Sequence, residues 1–546
     1  MAFLSLEIAE LFAERFPRYG LLLCEWNECT RLDGFQEKFD QQEISIPPQT
    51  EVLYLYGISG PLSSEIWEWL KEDPSRRLVF LEPSTSHIIR FLQTELARET
   101  LECRQIEIVH LPPRELLGKV LQELAEAYPV RGVQVELFLP YDRRKFQRVK
   151  ISLLRKTAFA HAHYLDRLHG HIPFAHLLKN LRRIPDAFYA NGLKGAFSGV
   201  PAIVCGAGPS LMASLETLRG LEDRALILAG GSAIAVLSHH GIVPHFCLAI
   251  DPNPDELARL KNSFAFEVPF LFSTRLIPEA FATCNGPFGY LRTGMAGIPE
   301  LWFDEQLGLN DPILGEKLPP EALSVTALSA AFAHHLGCNP IIFDGVDLAY
   351  TENRRYADGV FAKDSEEECL QPIDRELLKR SKEGKAVQSA VRWVMEASAL
   401  SRFARRCKGR RWINCTRGGL GLKGVEEMPL SEVAFSQEWD LRSRIHCAIL
   451  KSPMPENARS ILEEKVKELK ESLEAVLAHL EVMIHEKSFG LRALAELELK
   501  EELAYVILLF DAEKTIRIAL GCVDDYAFWK AVQELAKRYH DALCKF

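Results

Sequence analysis

With 546 residues, of which 47% are hydrophobic and 26% charged, the chain has an ordinary globular composition and is too long for one compact core, so two or three domains are predicted. Its 65 Lys and Arg against 75 Asp and Glu give a formal net charge of -10, which argues against a nucleic-acid partner because such binders need a basic surplus. The 13 cysteines are scattered and never spaced as C-x-x-C, which argues against a disulfide framework and a zinc site.

The start of the chain predicts neither export nor membrane insertion. Glu7 and Glu10 stand where a signal peptide needs a basic head and an unbroken apolar stretch. Along the whole sequence, no apolar run approaches the roughly 20 residues that cross a bilayer. We therefore expect a cytoplasmic protein with no membrane partner.

The first region, residues 1–165, alternates short apolar runs with amphipathic segments, which indicates a parallel sheet and a Rossmann-like domain. Glu82 closes the second predicted strand, where such a fold can hold a ribose. The loop before it is G-x-x-G without a third glycine, so a structural role for Glu82 is favoured over a ligand role. Strands are predicted at 52–56, 78–83, 106–109 and 135–139.

Five histidines lie close together where the first region joins the second. Residues two apart point to different faces of a helix, so neither of the two close pairs makes a helical chelate. No metal site is predicted there. The five are His161, His163, His169, His171 and His176.

The central region, residues 166–433, carries the sharpest signal in a glycine loop after a strand predicted at 201–205. Glycine lets the backbone approach a ligand, proline suits the first turn of a helix, and free N–H groups at a helix start favour an anion. The alternative is a structural tight turn, which would need the same glycines. The residues predicted to bind a phosphate or carboxylate are Gly206, Gly208, Pro209 and Ser210.

A second glycine loop follows a strand predicted at 225–229, and Gly231 and Ser232 are expected to contribute to the same site. The next strand, predicted at 246–250, ends at Asp251. Open α/β sheets bind ligands beyond the carboxyl ends of their strands, so Asp251 is predicted to accept a ribose or sugar hydroxyl or to act as a base. A turn-forming Asx residue is the alternative.

Two further segments are predicted to add polar groups at the carboxyl ends of these strands. Ser324 is predicted to cap a helix and to be a second donor toward phosphate. A strand predicted at 340–343 then delivers two carboxylates, which could bind a cation or act as a base, and two phenols, which could donate to a departing phosphate. A simple N-cap is the alternative for the acids. These residues are Asp344, Asp347, Tyr350 and Tyr356.

The last region, residues 434–546, is predicted to be mostly helical. Residues 456–486 and 491–520 repeat Leu and Val among Glu and Lys. Amphipathic helices of this kind pack together, as in a coiled coil, or against a partner subunit. A homo-oligomer formed through these helices is therefore one prediction.

The ordered motifs of the central region resemble the Maf (motility accessory factor) family of flagellin glycosyltransferases and the related MptE-like proteins. The likeness covers about residues 201–430. It implies an α/β fold with a Rossmann-like N-terminal domain, a central doubly wound, sialyltransferase-like sheet and a helical C-terminal region. The motifs are G-A-G-P-S-L at 206–211, I-D-P at 250–252, S-V-T-A at 324–327, D-G-V-D-L-A-Y-T at 344–351 and N-C-T-R-G-G at 414–419.

Similarity to Maf proteins implies transfer of a nonulosonic, sialic-acid-like sugar from a CMP-activated donor to a protein hydroxyl, with no required cofactor. The 206–210 loop and Ser232 would then hold the phosphate or carboxylate, and Asp251 would position the ribose or sugar. Asp347 would be the general base or an orienting group, with Tyr350 and Tyr356 on the leaving phosphate.

Similarity to MptE-like proteins implies instead a diphosphokinase that acts on ATP and a hydroxymethylpterin. Asp251, Asp344 and Asp347 would then hold Mg²⁺ as hard oxygen ligands. A third alternative is a catalytically degenerate nucleotide-binding or scaffold protein. It arises because the chain departs from the family at His245, where Asp is usual, at Val346 and in the run 354–359.

Overall fold

The structure is a computed structural model that forms two compact units, one within residues 1–164 and one from Leu165 onward. None of the helices in the described part is long and apolar enough to cross a membrane. The described residues are 6–19, 44–58, 61–138, 141–261, 263, 267–319, 324–352, 354–360, 378–380, 384, 386–520 and 524–546.

The first unit contains a four-stranded sheet in the order β3-β2-β1-β4, in which every pairing is parallel. All five residues of the central strand are buried, as a strand covered on both faces requires. The predicted Rossmann-like sheet is thereby confirmed. The strands are β1 (Val52–Tyr56), β2 (Arg77–Glu82), β3 (Ile106–His110) and β4 (Val133–Leu137). The helices are α1 (Leu6–Arg15), α2 (Ser64–Glu72), α3 (Thr85–Leu92), α4 (Leu96–Glu102), α5 (Arg114–Ala127) and α6 (Arg143–Leu168), the last of which continues into the second unit.

Glu82 is fully buried at the end of β2 and is held by groups of its own unit. Its carboxylate accepts hydrogen bonds from the Ile58 N–H at 2.8 Å, the Ser84 N–H at 2.8 Å and the Tyr141 hydroxyl at 2.5 Å. Because a buried carboxylate needs such donors, these contacts agree with the structural role rather than with a ribose ligand.

The second unit is built on a nine-stranded sheet in the order β15-β14-β11-β6-β7-β8-β9-β10-β5, again with parallel pairings throughout. Its strands are β5 (Phe188–Tyr189), β6 (Ala202–Cys205), β7 (Leu226–Gly230), β8 (Phe246–Ala249), β9 (Phe270–Phe272), β10 (Phe288–Tyr290), β11 (Ile341–Asp344), β14 (Trp412–Asn414) and β15 (Glu426–Glu427). A separate antiparallel pair joins β12 (Leu378–Arg380) to β13 (Ala386–Gln388).

Strand β6 marks the point where the winding of the sheet reverses. From β6 the chain adds β7 to β10 on one side and then crosses to β11 on the other. Cys205 pairs with Asp344, so the loops after β6 and β11 leave the sheet side by side. Such a switch point opens a crevice beyond the carboxyl ends of the strands, where doubly wound folds bind ligands. The predicted doubly wound fold class is confirmed.

Helices cover both faces of this sheet. The helices of the last region share one apolar core with a sheet face: Leu473 and Leu535 belong to the same buried cluster as Ile203 and Ile227. The helices are α7 (His171–Leu181), α8 (Leu215–Arg219), α9 (Ser232–His239), α10 (Pro254–Leu260), α11 (Ile298–Gln306), α12 (Val325–His335), α13 (Val391–Arg406), α14 (Leu441–Leu450), α15 (Ala458–His485), α16 (Phe489–Glu501), α17 (Phe510–Leu520) and α18 (Asp525–Cys544).

One helix of the last region is apolar on two sides. In α16, Ala495 and Leu499 are buried, whereas Leu491, Leu494 and Leu497 are exposed. A single exposed leucine is common on protein surfaces, but three at helical spacing form a continuous stripe. Oligomerisation through these helices stays a prediction.

Candidate functional site

The glycine loop after β6 leads into a helix at Pro209, as expected from sequence, but the first turns of that helix are 3-10 rather than α. Pro209 begins a 3-10 helix, Pro209–Ser214, and α8 starts only after it. The Gly206 N–H donates to the Asp344 carbonyl at 2.7 Å, and the Gly208 N–H donates to the Gly345 carbonyl at 2.8 Å. The loop is therefore tied to the segment after β11 instead of presenting these N–H groups at a helix start.

The anion that this loop binds is a side chain of the protein itself, Asp347. The Ser210 hydroxyl donates to Oδ1 of Asp347, and the Ser210 N–H donates to Oδ2 at 3.3 Å. A Cβ on Gly208 would overlap the Asp347 carboxylate, so only glycine fits there. The loop thus has the geometry of an anion-binding loop, and the anion that it binds is the carboxylate of Asp347, which is only 2% exposed. Ligand binding by Gly206, Gly208, Pro209 and Ser210 stays a prediction.

The third glycine motif, at 414–419, locks the segment after β11 from the other side. The Val346 N–H donates to the Thr416 hydroxyl at 3.0 Å. The Leu420 N–H donates to the Asp347 carbonyl at 2.9 Å. Gly419 has φ of 75°, and a side chain on it would overlap the Asp347 backbone. The two glycine motifs thus fix Asp347 between them.

Asp344 lies beside this arrangement and is fully buried at the end of β11. Its Oδ1 accepts from the Ser214 hydroxyl at 3.3 Å, whereas its Oδ2 has no hydrogen-bond partner within the described residues. Burial, reinforced by the nearby Asp347, raises the pKa of Asp344 to about 7. The charge of this carboxyl therefore changes near neutral pH.

The loops after β7 and β8 form a second cluster. Gly231 has φ of 52°, and a Cβ there would lie 3.2 Å from Oε1 of Glu256. Oδ1 of Asp251 accepts from the Asn253 N–H at 2.9 Å, which is the Asx turn weighed as the alternative for this residue. Ser232 is the first residue of α9. The other carboxylate oxygen of Asp251, Oδ2, faces Arg259.

Glu256 and Arg259 belong to this second cluster, although the sequence did not single them out. Nη2 of Arg259 donates to Oε2 of Glu256 at 3.0 Å and lies 4.0 Å from Oδ2 of Asp251. Burial raises the pKa of Glu256 against the opposing effect of Arg259. The sequence feature that could have identified them is an acid and an arginine three residues apart on the helix that follows β8.

Ser324, Tyr350 and Tyr356 are all half-buried. Ser324 caps α12, since its Oγ accepts from the Ala327 N–H at 3.0 Å, and its hydroxyl donates to Glu396. The Tyr350 ring meets the ring of Trp393 edge-on at 5.1 Å. Ser324 and Tyr350 therefore both contact α13.

The segment that carries Tyr356 is joined to the first glycine loop, because the Ala357 N–H donates to the Ala207 carbonyl at 2.8 Å. The structure thus forms two clusters at one edge of the sheet. The first contains Gly206, Gly208, Pro209, Ser210, Asp344 and Asp347. The second contains Gly231, Ser232 and Asp251 with Glu256 and Arg259.

The three acids of the Mg²⁺ alternative do not converge on a common point. Both oxygens of Asp347 are bonded to Ser210, Asp344 is buried with a raised pKa, and Asp251 belongs to the second cluster. Within the described residues, no group of three or more His, Cys, Asp or Glu side chains could hold a metal ion. A Mg²⁺ ion needs several oxygens in near-octahedral geometry, so this set does not fit it.

His245, the departure from the family pattern, lies at the opposite edge of the sheet. It precedes β8, its Nδ1 accepts from the Ile227 N–H at 2.9 Å, and its own N–H donates to the Ile227 carbonyl at 2.7 Å. Ligands bind at the carboxyl ends of the strands, whereas His245 is at an amino end. This departure therefore does not touch the candidate site.

We expect the wild-type protein to lose stability in acid because of His245, and the variant His245→Asn not to show this loss. Nucleotide binding should be the same in both proteins. Burial lowers the pKa of His245 to about 4, so below its ordinary value of 6.5 the unfolded chain takes up the proton first. The stability present above pH 6.5 is thus lost as pH falls toward 4, by about 3 kcal/mol. Urea unfolding at pH 4.5, 5.5 and 7 measures this slope, and an equal slope in variant and wild type would contradict the prediction.

These features define an open, doubly wound α/β protein with polar loops at its switch point. Residues 175–353 match the family model described as 6-hydroxymethylpterin diphosphokinase MptE-like. Among solved structures, the chain is similar to a Maf glycosyltransferase from Magnetospirillum magneticum AMB-1, with a TM-score of 0.51 and 16% identity over 100% of this chain and 83% of that one. No curated protein matches the sequence.

Residues 175–353 therefore resemble the MptE-like family, and the chain shares the fold of a Maf glycosyltransferase. The resemblance inferred from the central motifs is confirmed. The family match ends at residue 353, so the motif at 414–419 lies beyond it. The structure nevertheless joins that motif to Asp347 through the Leu420 N–H.

Proposed function

We propose that the protein is a Maf-like glycosyltransferase that transfers a nonulosonic sugar from a CMP-activated donor to a hydroxyl of a protein acceptor. The observation that carries the proposal is the similarity in fold to a glycosyltransferase along the whole chain, with the polar loops at the switch point of the sheet. Open α/β sheets bind their ligands at that point. A nucleotide-activated donor is therefore expected in this crevice.

In this proposal the two clusters have different tasks. Asp347 is an orienting group, since its carboxylate fixes Ser210 and the glycine loop rather than facing solvent. Asp251, beside the close approach allowed by Gly231, positions the ribose or sugar. Tyr350 and Tyr356 donate to the leaving phosphate, whose charge such donors can stabilise.

The second candidate is the MptE-like diphosphokinase, which the family match at 175–353 favours. It requires Mg²⁺, and of the three acids assigned to the metal, Asp251 lies in a different cluster from Asp344 and Asp347. The third candidate, a non-catalytic nucleotide-binding or scaffold protein, predicts binding or assembly without turnover.

The three candidates separate in one assay series. We expect the protein to release CMP from a CMP-activated nonulosonic sugar in the presence of EDTA, and CMP to raise its melting temperature more than ATP does. Mg²⁺-dependent formation of AMP from ATP and hydroxymethylpterin would support the diphosphokinase instead. No thermal response to CMP, CDP, ATP and GTP would support the scaffold.

The variant Asp347→Asn is expected to keep the fold but to lower turnover by at least about tenfold, a loss of roughly 1.4 kcal/mol in transition-state stabilisation. The amide can still accept from Ser210, but the charge-assisted hydrogen bond that holds the loop is lost, which costs about 1–3 kcal/mol of stability. Turnover and urea unfolding measure both effects. Asp255→Asn, at an exposed acid in the first turn of α10, is the control. Full activity of Asp347→Asn would remove that residue from the mechanism.

A further inference from the structure

The candidate site contains several acidic side chains, whose negative charge would repel an anionic donor. Asp251, Glu256, Asp344 and Asp347 all lie at this edge of the sheet. Like charges within a few ångströms repel, and the repulsion grows where water is excluded. A donor with a phosphate or a carboxylate therefore needs cations close to these acids.

The first glycine loop does not supply the missing positive charge in this structure. The N–H groups of Gly206, Gly208 and Ser210 are bonded to the segment after β11, and Pro209 has no N–H. An anion-binding loop acts through such N–H groups when they are free. We therefore expect the positive charge at this site to come from cationic side chains.

Arg259 is placed to be the first of them. Its side chain is 15% exposed, and the pair with Glu256 uses only one of its nitrogens, Nη2. Its Nε is buried and, within the described residues, has no hydrogen-bond partner. Burial lowers the pKa of Arg259, but Glu256, Tyr356 and Asp251 outweigh it, so the guanidinium is charged. A guanidinium has five N–H donors, and several here remain for a ligand.

Arg355 is placed to be the second. Its guanidinium lies 4.8 Å from the centre of the Tyr356 ring and 5.9 Å from that of Trp393. Its Nε, like that of Arg259, is buried without a hydrogen-bond partner among the residues that the structure describes. Stacking on aromatic rings fixes the guanidinium plane while its edge stays available for an oxyanion. Arg355 thus stacks on the ring of Tyr356, and Arg259 lies close enough to Tyr356 to interact with it electrostatically.

We propose that Arg259 and Arg355 form the anion-binding part of the candidate site and take a phosphate or carboxylate group of the ligand beside Tyr356. That the ligand is a CMP-activated sugar rests on the proposed function, whereas the oxyanion chemistry rests on the two guanidiniums alone. Arginine suits this task because its planar fork matches the paired oxygens of phosphate and carboxylate. Glu256 is a positioning residue that holds Arg259 in place.

The test compares ligands with and without each oxyanion. Isothermal titration of the full chain with CMP, cytidine, free N-acetylneuraminic acid and ATP separates phosphate from carboxylate binding. We expect Arg259→Gln and Arg355→Gln each to weaken at least one oxyanion ligand tenfold or more, with cytidine unchanged. Loss confined to CMP and ATP assigns the arginines to a phosphate, and loss confined to the sugar acid assigns them to a carboxylate.

Arg219→Gln is the matched control. Arg219 also pairs with a glutamate three residues earlier, Glu216, on a short helix after a strand. It bonds the His240 carbonyl at 2.9 Å, close to the amino end of β8 and away from the candidate site. We expect its affinities to stay within twofold of wild type. If Arg259→Gln fails to fold because Glu256 is left unpaired, the double variant R259Q/E256Q removes the pair together and repeats the test.

The outcomes distinguish this proposal from the proposed function. If ATP binds instead of CMP and Arg259→Gln abolishes that binding, the arginine site stands and the glycosyltransferase proposal falls. If CMP-sugar turnover occurs but both variants bind all ligands within twofold of wild type, the arginine site is wrong and the function stands. The arginine site is also wrong if none of the oxyanion ligands binds.

Discussion

Replacing Gly208 with alanine is expected to lower the free energy of unfolding by about 3 kcal/mol and to abolish any nucleotide-induced stabilisation. The added Cβ would overlap the carboxylate of Asp347, which cannot move away because Ser210 and the backbone around Gly419 hold it. Overpacking of this kind costs about 1–3 kcal/mol, and loss of a hydrogen bond to a charged group costs about 1.5–3 kcal/mol. Urea unfolding and thermal shift with CMP measure the two effects.

Two further variants isolate the cause. Gly490→Ala, in α16, adds a Cβ with no heavy atom within 4 Å and is expected to leave stability unchanged or raise it by up to about 1 kcal/mol. The double variant G208A/D347A should be less destabilised than the sum of its single variants, because removing the carboxylate relieves the tighter overlap and leaves only that with the Gly345 carbonyl, 2.7 Å from the new Cβ. Additive effects would show that the overlap with Asp347 is not the cause.

The second large effect is expected from Asp344→Asn, as a change in how stability depends on pH. The pKa of Asp344 is raised from 3.8 to about 7 by burial, so its contribution is fully present below pH 3.8 and is lost as pH rises through 7. Each pKa unit is worth about 1.4 kcal/mol, which makes the loss about 4 kcal/mol between pH 4 and pH 8. The asparagine variant cannot ionise, so it should gain about that much relative to wild type over this range.

Urea unfolding of both proteins at pH 4, 6 and 8 tests this expectation. Asp304 also has a pKa raised to about 7 by burial, so the wild-type slope contains a second contribution that the variant keeps. The difference between the two proteins, rather than either curve, therefore reports Asp344. Curves that stay parallel from pH 4 to pH 8 would contradict the expectation.

Much of the fold could be predicted because its strands are short, buried and rich in β-forming residues. The strands predicted at 52–56 and 201–205 are observed within one residue of their predicted bounds. The fold class followed from the alternation of such strands with helices. A helix begins at Pro209 as predicted, but it is 3-10 before it becomes α-helical at Leu215. The bond between Ser210 and the carboxylate of Asp347 was not predicted, because no local pattern reveals a contact so far along the chain.

The candidate site was predicted less completely than the fold, for two different reasons. Glu256 and Arg259 have the spacing of an ordinary surface ion pair, and only packing reveals that the glutamate is buried. For His245 the information was present, because a residue that directly precedes a strand lies at its amino end. Its position relative to the predicted strand at 246–250 already separated it from the ligand edge.

The two outermost strands of the large sheet bear on how the protein behaves at high concentration. Each is only two residues long: β15 consists of Glu426 and Glu427, and β5 is Phe188–Tyr189. The Tyr189 N–H donates to the Ser452 carbonyl at 2.8 Å, so a loop already occupies that border. Long, unpaired borders recruit strands from other molecules and seed aggregation, whereas short, charged or covered ones do not. The sheet can therefore extend over nine strands without offering neighbouring molecules a template.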